Sequence, residues 1–255
     1  MNIISIIPAR MASSRFPGKP MADILGMPMV GHVYKRVKRS PLLSEVYVAT
    51  CDKIIYNYIQ SIGGKAIMTS DTHERCSDRC AEAMLKIEQM ENKKIDIMVM
   101  VQGDEPLTFP EMIDESVAPM IKDKSLLITN LVADIDSIKS FEDPNEVKVV
   151  MDKDNNALYF SREAIPSRKK GISNVPMKKQ VCVIPFTRDF LLEYNEMEPT
   201  PLEIIESVDM MRILENGMKV KMIPTNYDTK AVDTQKDLDK VIILMKNDLL
   251  KDQYL

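Results

Sequence analysis

The sequence has no tryptophan, only two histidines, four cysteines and eight glycines in 255 residues. With His32 and His73 alone, a histidine-rich metal centre is excluded. Cys51, Cys76, Cys80 and Cys182 follow neither a disulfide framework nor a zinc-knuckle spacing, so they read as free thiols, small and buried or half-buried. Long apolar runs are missing as well. The N-terminal run extends only from Ile3 to Ile7, too short for a secretory core, and no run approaches the roughly 18 residues of a membrane span. Excess positive charge is absent: 34 Lys and Arg stand against 38 Asp and Glu, a net charge of -4, which argues against bulk nucleic-acid binding. These absences predict a soluble, cytoplasmic protein with neither a membrane nor a nucleic acid as partner.

What is there is globular: 45% hydrophobic and 28% charged residues, with twenty methionines that suit a forgiving core. The first half alternates strand and helix patterns. Asn2 to Ile7, Glu45 to Thr50, Lys65 to Thr69 and Asp96 to Val101 read as strands. The last is a continuous apolar run, as in a parallel sheet covered on both faces. Val30, Val33, Tyr34 and Val37 recur at helical spacing; Lys53 to Ile62 and Ser77 to Glu88 read as further helices. A doubly wound, mostly parallel α/β sheet follows.

After residue 125 the pattern becomes β-rich. Leu126 to Asp134, Glu146 to Asp152, Ala157 to Phe160, Lys179 to Phe186 and Met218 to Thr225 read as strands, Pro201 to Glu215 as one helix, and Thr234 to Asn247 as a terminal helix capped by Thr234. The expectation is a single domain over 1–255. It has a nucleotide-binding core (1–125), an acceptor-binding and dimerisation part (126–225) and a terminal segment (226–255).

Three motifs could carry chemistry. The first strand runs into Arg10, Arg15 and Lys19 beside Ser13, Ser14, Gly18 and two prolines. Cations and backbone N–H groups at the carboxyl end of a strand suit phosphates. A solvated basic turn is the plainer alternative. The segment matches neither GxxxxGK[ST] nor GxGxxG, since Pro20 follows Gly18-Lys19. The second motif is Gln102-Gly103-Asp104-Glu105-Pro106, directly after the fourth strand. Its carboxylates suit Mg2+ bound together with phosphates, or else they cap a helix or close a turn. The third is Ala231-Val232-Asp233-Thr234, where Asp233 is a second carboxylate for a metal or an ordinary acidic neighbour of an N-cap.

In combination the motifs identify more. The order IIPAR-x-x-SSR-x-PGKP, QGDEPL and VDT-x-x-DL resembles the nucleotide-sugar cytidylyltransferases, in particular the 3-deoxy-manno-octulosonate cytidylyltransferases. Further similar stretches, among them Gly63-Gly64-Lys65-Ala66, Asp143-Pro144-Asn145, Tyr159-Phe160-Ser161-Arg162 and Leu214-Glu215-Asn216-Gly217, extend the resemblance over nearly the whole chain. The resemblance implies a nucleotide-diphospho-sugar transferase-like fold, CTP as donor, an acidic sugar as acceptor, Mg2+ as cofactor, pyrophosphate as product and a homodimer built through the β-rich half. By position it assigns Pro8, Ala9, Arg10, Ser13, Arg15, Lys19, Thr69, Ser70, Arg79 and Gln102 to CTP. It assigns Asp104 and Asp233 to the metal, and gives Arg10, Arg15, Lys19, Asp104 and Asp233 the catalytic roles. Cations and metal around the α-phosphate lower the barrier by neutralising charge that develops there, and no catalytic histidine is needed. The IIPAR opening, in place of a glycine-rich loop, disfavours UTP or GTP as donor.

The resemblance weakens on the acceptor side, to which it assigns Arg75, Gln102, Arg162, Gln180, Ile184, Glu206 and Met210. Where the family has H-x-SGTDR, this chain reads His73-Glu74-Arg75-Cys76-Ser77-Asp78-Arg79. Where the family has His-(Ile/Leu)-Gly-(Ile/Leu)-Tyr, it reads Gln180-Val181-Cys182-Val183-Ile184, and Met210 replaces a glutamine. Each lost polar contact costs roughly 1–3 kcal/mol. A different anionic acceptor, such as a phosphonate, is therefore an alternative, with Arg75 as the added cation.

Overall fold

The computed structural model describes residues 1–13, 15–171, 174–227 and 229–255; Ser14 of the basic motif lies outside them. The chain begins with β1 (Ile3–Pro8), a short hairpin of β2 (Asp23–Ile24) and β3 (Met27–Pro28), and α1 (Met29–Val37). There follow β4 (Glu45–Thr50), α2 (Lys53–Ser61), β5 (Lys65–Met68), α3 (Cys76–Glu91), β6 (Ile97–Val101) and α4 (Pro110–Lys122). Strands β6, β1, β4 and β5 are parallel neighbours in that order. Every residue of β1 is buried, and its side chains alternate between two cores. Ile4 and Ile6 pack with α3, while Ile3 and Ile7 pack with α1, α2 and α4. This two-sided burial makes the parallel strands apolar throughout. Ser5, buried mid-strand, stays satisfied by donating to Val99 O at 3.0 Å.

The second half contains β7 (Thr129–Asp134), α5 (Ile138–Phe141), β8 (Lys148–Met151), β9 (Ala157–Ser161), β10 (Lys178–Val181) and β11 (Val183–Thr187). It ends with α6 (Arg188–Glu196), α7 (Pro201–Glu206), α8 (Met210–Glu215), β12 (Lys221–Pro224) and α9 (Gln235–Lys246). Strand β11 joins the first sheet antiparallel to β6, whereas β12, β7, β10, β8 and β9 form a second sheet. The doubly wound α/β class is as expected.

Three local expectations are corrected. The run 179–186 is two strands, because the chain leaves one sheet for the other at Cys182. The run 201–215 is two helices: Ser207 takes a left-handed φ of 52° and stops α7. The β-rich half also carries α5 and α6. Thr234 caps α9 as expected, accepting from Asp237 N–H while the Asp237 carboxylate reaches back to the Thr234 N–H. Among the described residues no helix is long and apolar enough to cross a membrane.

Candidate active site

The chain proceeds from β1 outward to β4 and β5, then returns to β6 on the other side of β1. The carboxyl ends of β1 and β6 therefore flank a topological switch point, where open α/β sheets bind ligands. Gly103 lets the two ends meet: a Cβ there would lie 3.0 Å from Pro8 O. The loop after β6 is then tied to the start of α9 by Val232 N–H, which donates to Asp104 O at 2.9 Å.

This brings the basic and acidic motifs together. Lys19 Nζ donates to Asp104 Oδ2 at 2.5 Å, to Val232 O at 3.1 Å and to Asp233 Oδ1 at 3.3 Å. Arg15 Nη2 lies 2.8 Å from the same Asp233 oxygen, and its Nη1 donates to Asn145 Oδ1. Burial pulls the Lys19 ammonium down, but Asp104 and Asp233 outweigh it and hold its pKa above the ordinary value. Asp104 Oδ1 is buried without a hydrogen-bond partner. Among the described residues no group of three or more His, Cys, Asp or Glu could hold a metal. Two carboxylates, one with a buried free oxygen, nevertheless fit Mg2+, which takes one or two protein carboxylates with phosphates and water supplying the rest.

The remaining residues assigned to CTP, Gln102 apart, make contacts of their own. Arg10 Nη1 donates to His73 O at 3.3 Å. Arg79, 3% exposed, donates from Nη1 to Thr69 Oγ1 at 2.5 Å and to Ser70 O at 3.0 Å, while its buried Nη2 has no partner. The Ser70 N–H and His73 Nε2 both meet Glu82 Oε2, at 2.9 and 2.5 Å. Ser13 Oγ accepts from Phe16 N–H. Pro8 and Ala9 are buried at the end of β1.

A cavity of about 270 Å3 includes the carboxylates in its wall. Arg15, Lys19, Gln102, Asp104 and Asp233 all line it. Of the residues assigned to the acceptor, Arg75, Arg162, Gln180, Ile184 and Met210 line it, but Glu206 does not. The Glu206 carboxylate is engaged elsewhere, accepting from Tyr159 OH, Ser161 Oγ and Arg162 N–H. Sequence reasoning gave no role to Asp209 and took Glu105 only as part of the acidic pair after β6; both also line the cavity. Burial raises both carboxyls, against Arg75 and Ser77 at Asp209 and against Thr229 at Glu105. Cys76 and Cys182 line it too, and burial pushes the Cys76 thiol up to about 12 and raises Cys182 well above the ordinary thiol value. Neither is a thiolate nucleophile near neutral pH.

Residues 4–220 match the cytidylyltransferase family. A 3-deoxy-manno-octulosonate cytidylyltransferase of Geobacter metallireducens is 44% identical over 95% of this chain and 97% of its own. One of Geotalea uraniireducens is 43% identical over 96% and 100%. The chain belongs to the 3-deoxy-manno-octulosonate cytidylyltransferase family. A solved structure of CMP:2-keto-3-deoxy-manno-octonic acid synthetase, complexed with CTP, matches with a TM-score of 0.88 at 35% identity, over 98% of this chain and all of that one.

Family membership directs attention to the departures, which converge in space. Arg75 stands before α3, Ile184 on β11 and Met210 at the start of α8, yet all three line the same cavity. Ile184 and Met210 give it an apolar wall with Met100, Val181 and Val208. Arg75 adds a cation to the same lining and donates to Asp209 Oδ1 at 3.3 Å.

Proposed function

We propose that this chain transfers CMP from CTP to an acidic sugar, 3-deoxy-manno-octulosonate or a related sugar acid, in the cytoplasm, releasing pyrophosphate with Mg2+ as cofactor. The observation that carries this reading is the meeting of Arg15 and Lys19 with Asp104 and Asp233 at the switch point. Arg10, Arg15 and Lys19 bind the triphosphate, Arg15 by its planar fork and Lys19 as a point charge. Arg79, with Nη2 free, and the Thr69–Ser70 segment hold the cytidine. Gln102 stands between donor and acceptor, since it follows β6 and lines the cavity. Asp104 and Asp233 would hold Mg2+, which supplies charge neutralisation at the α-phosphate. The fixed cations add to that neutralisation, and the cavity walls orient the acceptor for attack.

The test is pyrophosphate release with CTP and 3-deoxy-manno-octulosonate. Asp104→Ala should lower the rate by ~10²–10³-fold, the scale of losing one transition-state charge stabiliser; an unchanged rate would remove the metal assignment. Thermal-shift comparison of the four nucleoside triphosphates with Mg2+ tests the donor, and stabilisation by CTP alone is expected.

A second reading concerns the acceptor and rests on the clustering of Arg75, Ile184 and Met210. An apolar wall with an added cation favours an anion carrying fewer hydroxyls, such as a phosphonate. A panel of sugar acids and phosphonates decides; robust turnover of 3-deoxy-manno-octulosonate would sink this alternative. We also propose a homodimer through the second half, where Leu158, Ile204 and Ile205 are 60–73% exposed. Its mass in solution is the check.

A further inference from the structure

Lys19 is donor to three acceptors at once: Asp104 Oδ2, Asp233 Oδ1 and Val232 O. An ammonium has three donor hydrogens, so its capacity is used in full. The side chain is 14% exposed, nearly closed off from water. In this arrangement Lys19 stands where the proposed function puts a metal ion.

We infer that Lys19 is a placeholder cation: in the nucleotide-free protein its ammonium occupies the Asp104–Asp233 pair, and CTP draws it onto the triphosphate and so releases both carboxylates to the metal. The inference rests on the proposed metal role of these carboxylates and adds how the metal's entry is controlled. It predicts that metal and nucleotide bind as a coupled pair, because each removes a cost that the other would meet alone.

Charge is the first support. Two carboxylates drawn to one centre repel unless a cation stands between them. Arg15 reaches only Asp233 and is half exposed, so Lys19 is the cation in contact with both. With Arg15 and Lys19 in place, the four charges cancel. A divalent ion entering alone would leave this group of four side chains with two positive charges uncompensated among themselves. The CTP polyanion, entering with it, absorbs them.

The second support is the imperfect fit of the ammonium. It satisfies Asp104 through Oδ2 only, and leaves Oδ1 buried and without a partner. A buried acceptor left unpaired is costly, and a divalent ion can contact both oxygens. The arrangement is therefore complete enough to neutralise the pair and incomplete enough to be displaced.

The third support is mechanical. The backbone of Lys19 is fixed: it follows Gly18 at a left-handed φ of 76°, and it opens a short 3-10 turn with Pro20. Gly18 N–H is bonded to Met11 O at 2.9 Å and Lys19 N–H to Phe16 O. The exchange needs only rotation of a four-carbon stem, with no movement of the loop.

The experiment is a Mn2+ titration of CTP-free protein, followed by the paramagnetic resonance of the free ion. Lys19→Met, which keeps the stem and removes the charge, should bind Mn2+ at least about tenfold more tightly than wild type, within the usual range of coupling. Adding Asp104→Asn to Lys19→Met should return the affinity to the wild-type level, which locates the ion. Lys19→Gln replaces Lys19→Met if circular dichroism shows the latter unfolded. Equal Mn2+ affinity in wild type and the Lys19 variants would overturn the placeholder role alone. No loss of the free-Mn2+ signal beyond that caused by CTP alone, when protein and CTP are both present, would overturn the placeholder and the metal assignment together.

Discussion

Arg75 Nη1 lies 3.3 Å from Asp209 Oδ1 across a corner of the cavity, joining the residue before α3 to the one before α8. Ser77 Oγ donates to the other Asp209 oxygen at 3.1 Å. Asp209 therefore fixes the base of the guanidinium while Arg75, with 26% of its side chain exposed, still lines the cavity. If Arg75 grips an acceptor anion, Arg75→Ser should raise the acceptor KM about ten- to a hundredfold, the range of a charged hydrogen bond. The CTP KM should stay close to wild type. Steady-state kinetics with each substrate varied in turn checks this, and a rise confined to CTP would contradict the assignment.

Glu82 organises the Ser70–His73 segment. Burial would raise its pKa, but Lys86, the Ser70 N–H and His73 together hold it down to about 2. A carboxyl depressed on folding contributes stability above its unfolded pKa, and the contribution disappears as pH falls through the folded value. Wild type should therefore exceed Glu82→Gln by about 1 kcal/mol near neutral pH, since the site is partly exposed. The gap should shrink progressively between pH 4.5 and about 2. Urea unfolding of both proteins across that range measures it.

Glu203 and Arg212 form a buried fork between α7 and α8, with Nε–Oε2 and Nη2–Oε1 both at 2.7 Å. Glu203 is 0% and Arg212 4% exposed. Arg212→Leu should cost about 3 kcal/mol, because it leaves the buried Glu203 carboxylate with only the looser contact to Arg75 Nε at 3.8 Å. Arg212→Leu combined with Glu203→Leu should recover part of the loss, a coupling that a double-mutant cycle reads directly.

Much of this was legible in the sequence, and the reason is physical. Strands buried on both faces are written as unbroken apolar runs, so β1, β4 and β6 could be read from residue type. Asp104 was legible because it stands just beyond β6, but Lys19 lies well past β1 and Asp233 just before α9, so their meeting was legible only through the family resemblance. The break at Cys182 was not, since Val181 and Val183 are equally apolar although they belong to different sheets. Nor was the end of α7, where serine rather than glycine takes the left-handed turn. Helix α4 carries Pro119 inside it and Pro110 at its start, which obscured its period. Asp209 had no signal, and the acidic pair gave none for the structural part Glu105 plays, because their contacts come from neighbours 132 and 124 residues away.

Glu105 illustrates that last case and can be tested. It is 5% exposed, accepts from Thr229 Oγ1 at 2.6 Å, and accepts from the Cys182 N–H at 3.4 Å, where the chain passes between sheets. It thus ties the loop that carries Asp104 to the segment that leads to Asp233, and Lys179 Nζ reinforces the tie by donating to Thr229 O. Thr229→Val keeps the shape and removes the hydroxyl. It should cost about 1–3 kcal/mol, the penalty for a buried acceptor left unpaired, and Thr229→Ser should restore most of it. If the tie also spaces the two carboxylates, the half-saturating Mg2+ concentration should rise about tenfold in Thr229→Val, as when a residue supporting a metal ligand is lost. Thr229→Ser should bring it back. A fall in stability with unchanged Mg2+ dependence would leave Glu105 a structural residue only, with the Val232–Asp104 backbone bond and the Lys19 bridge sufficient to relate the two carboxylates.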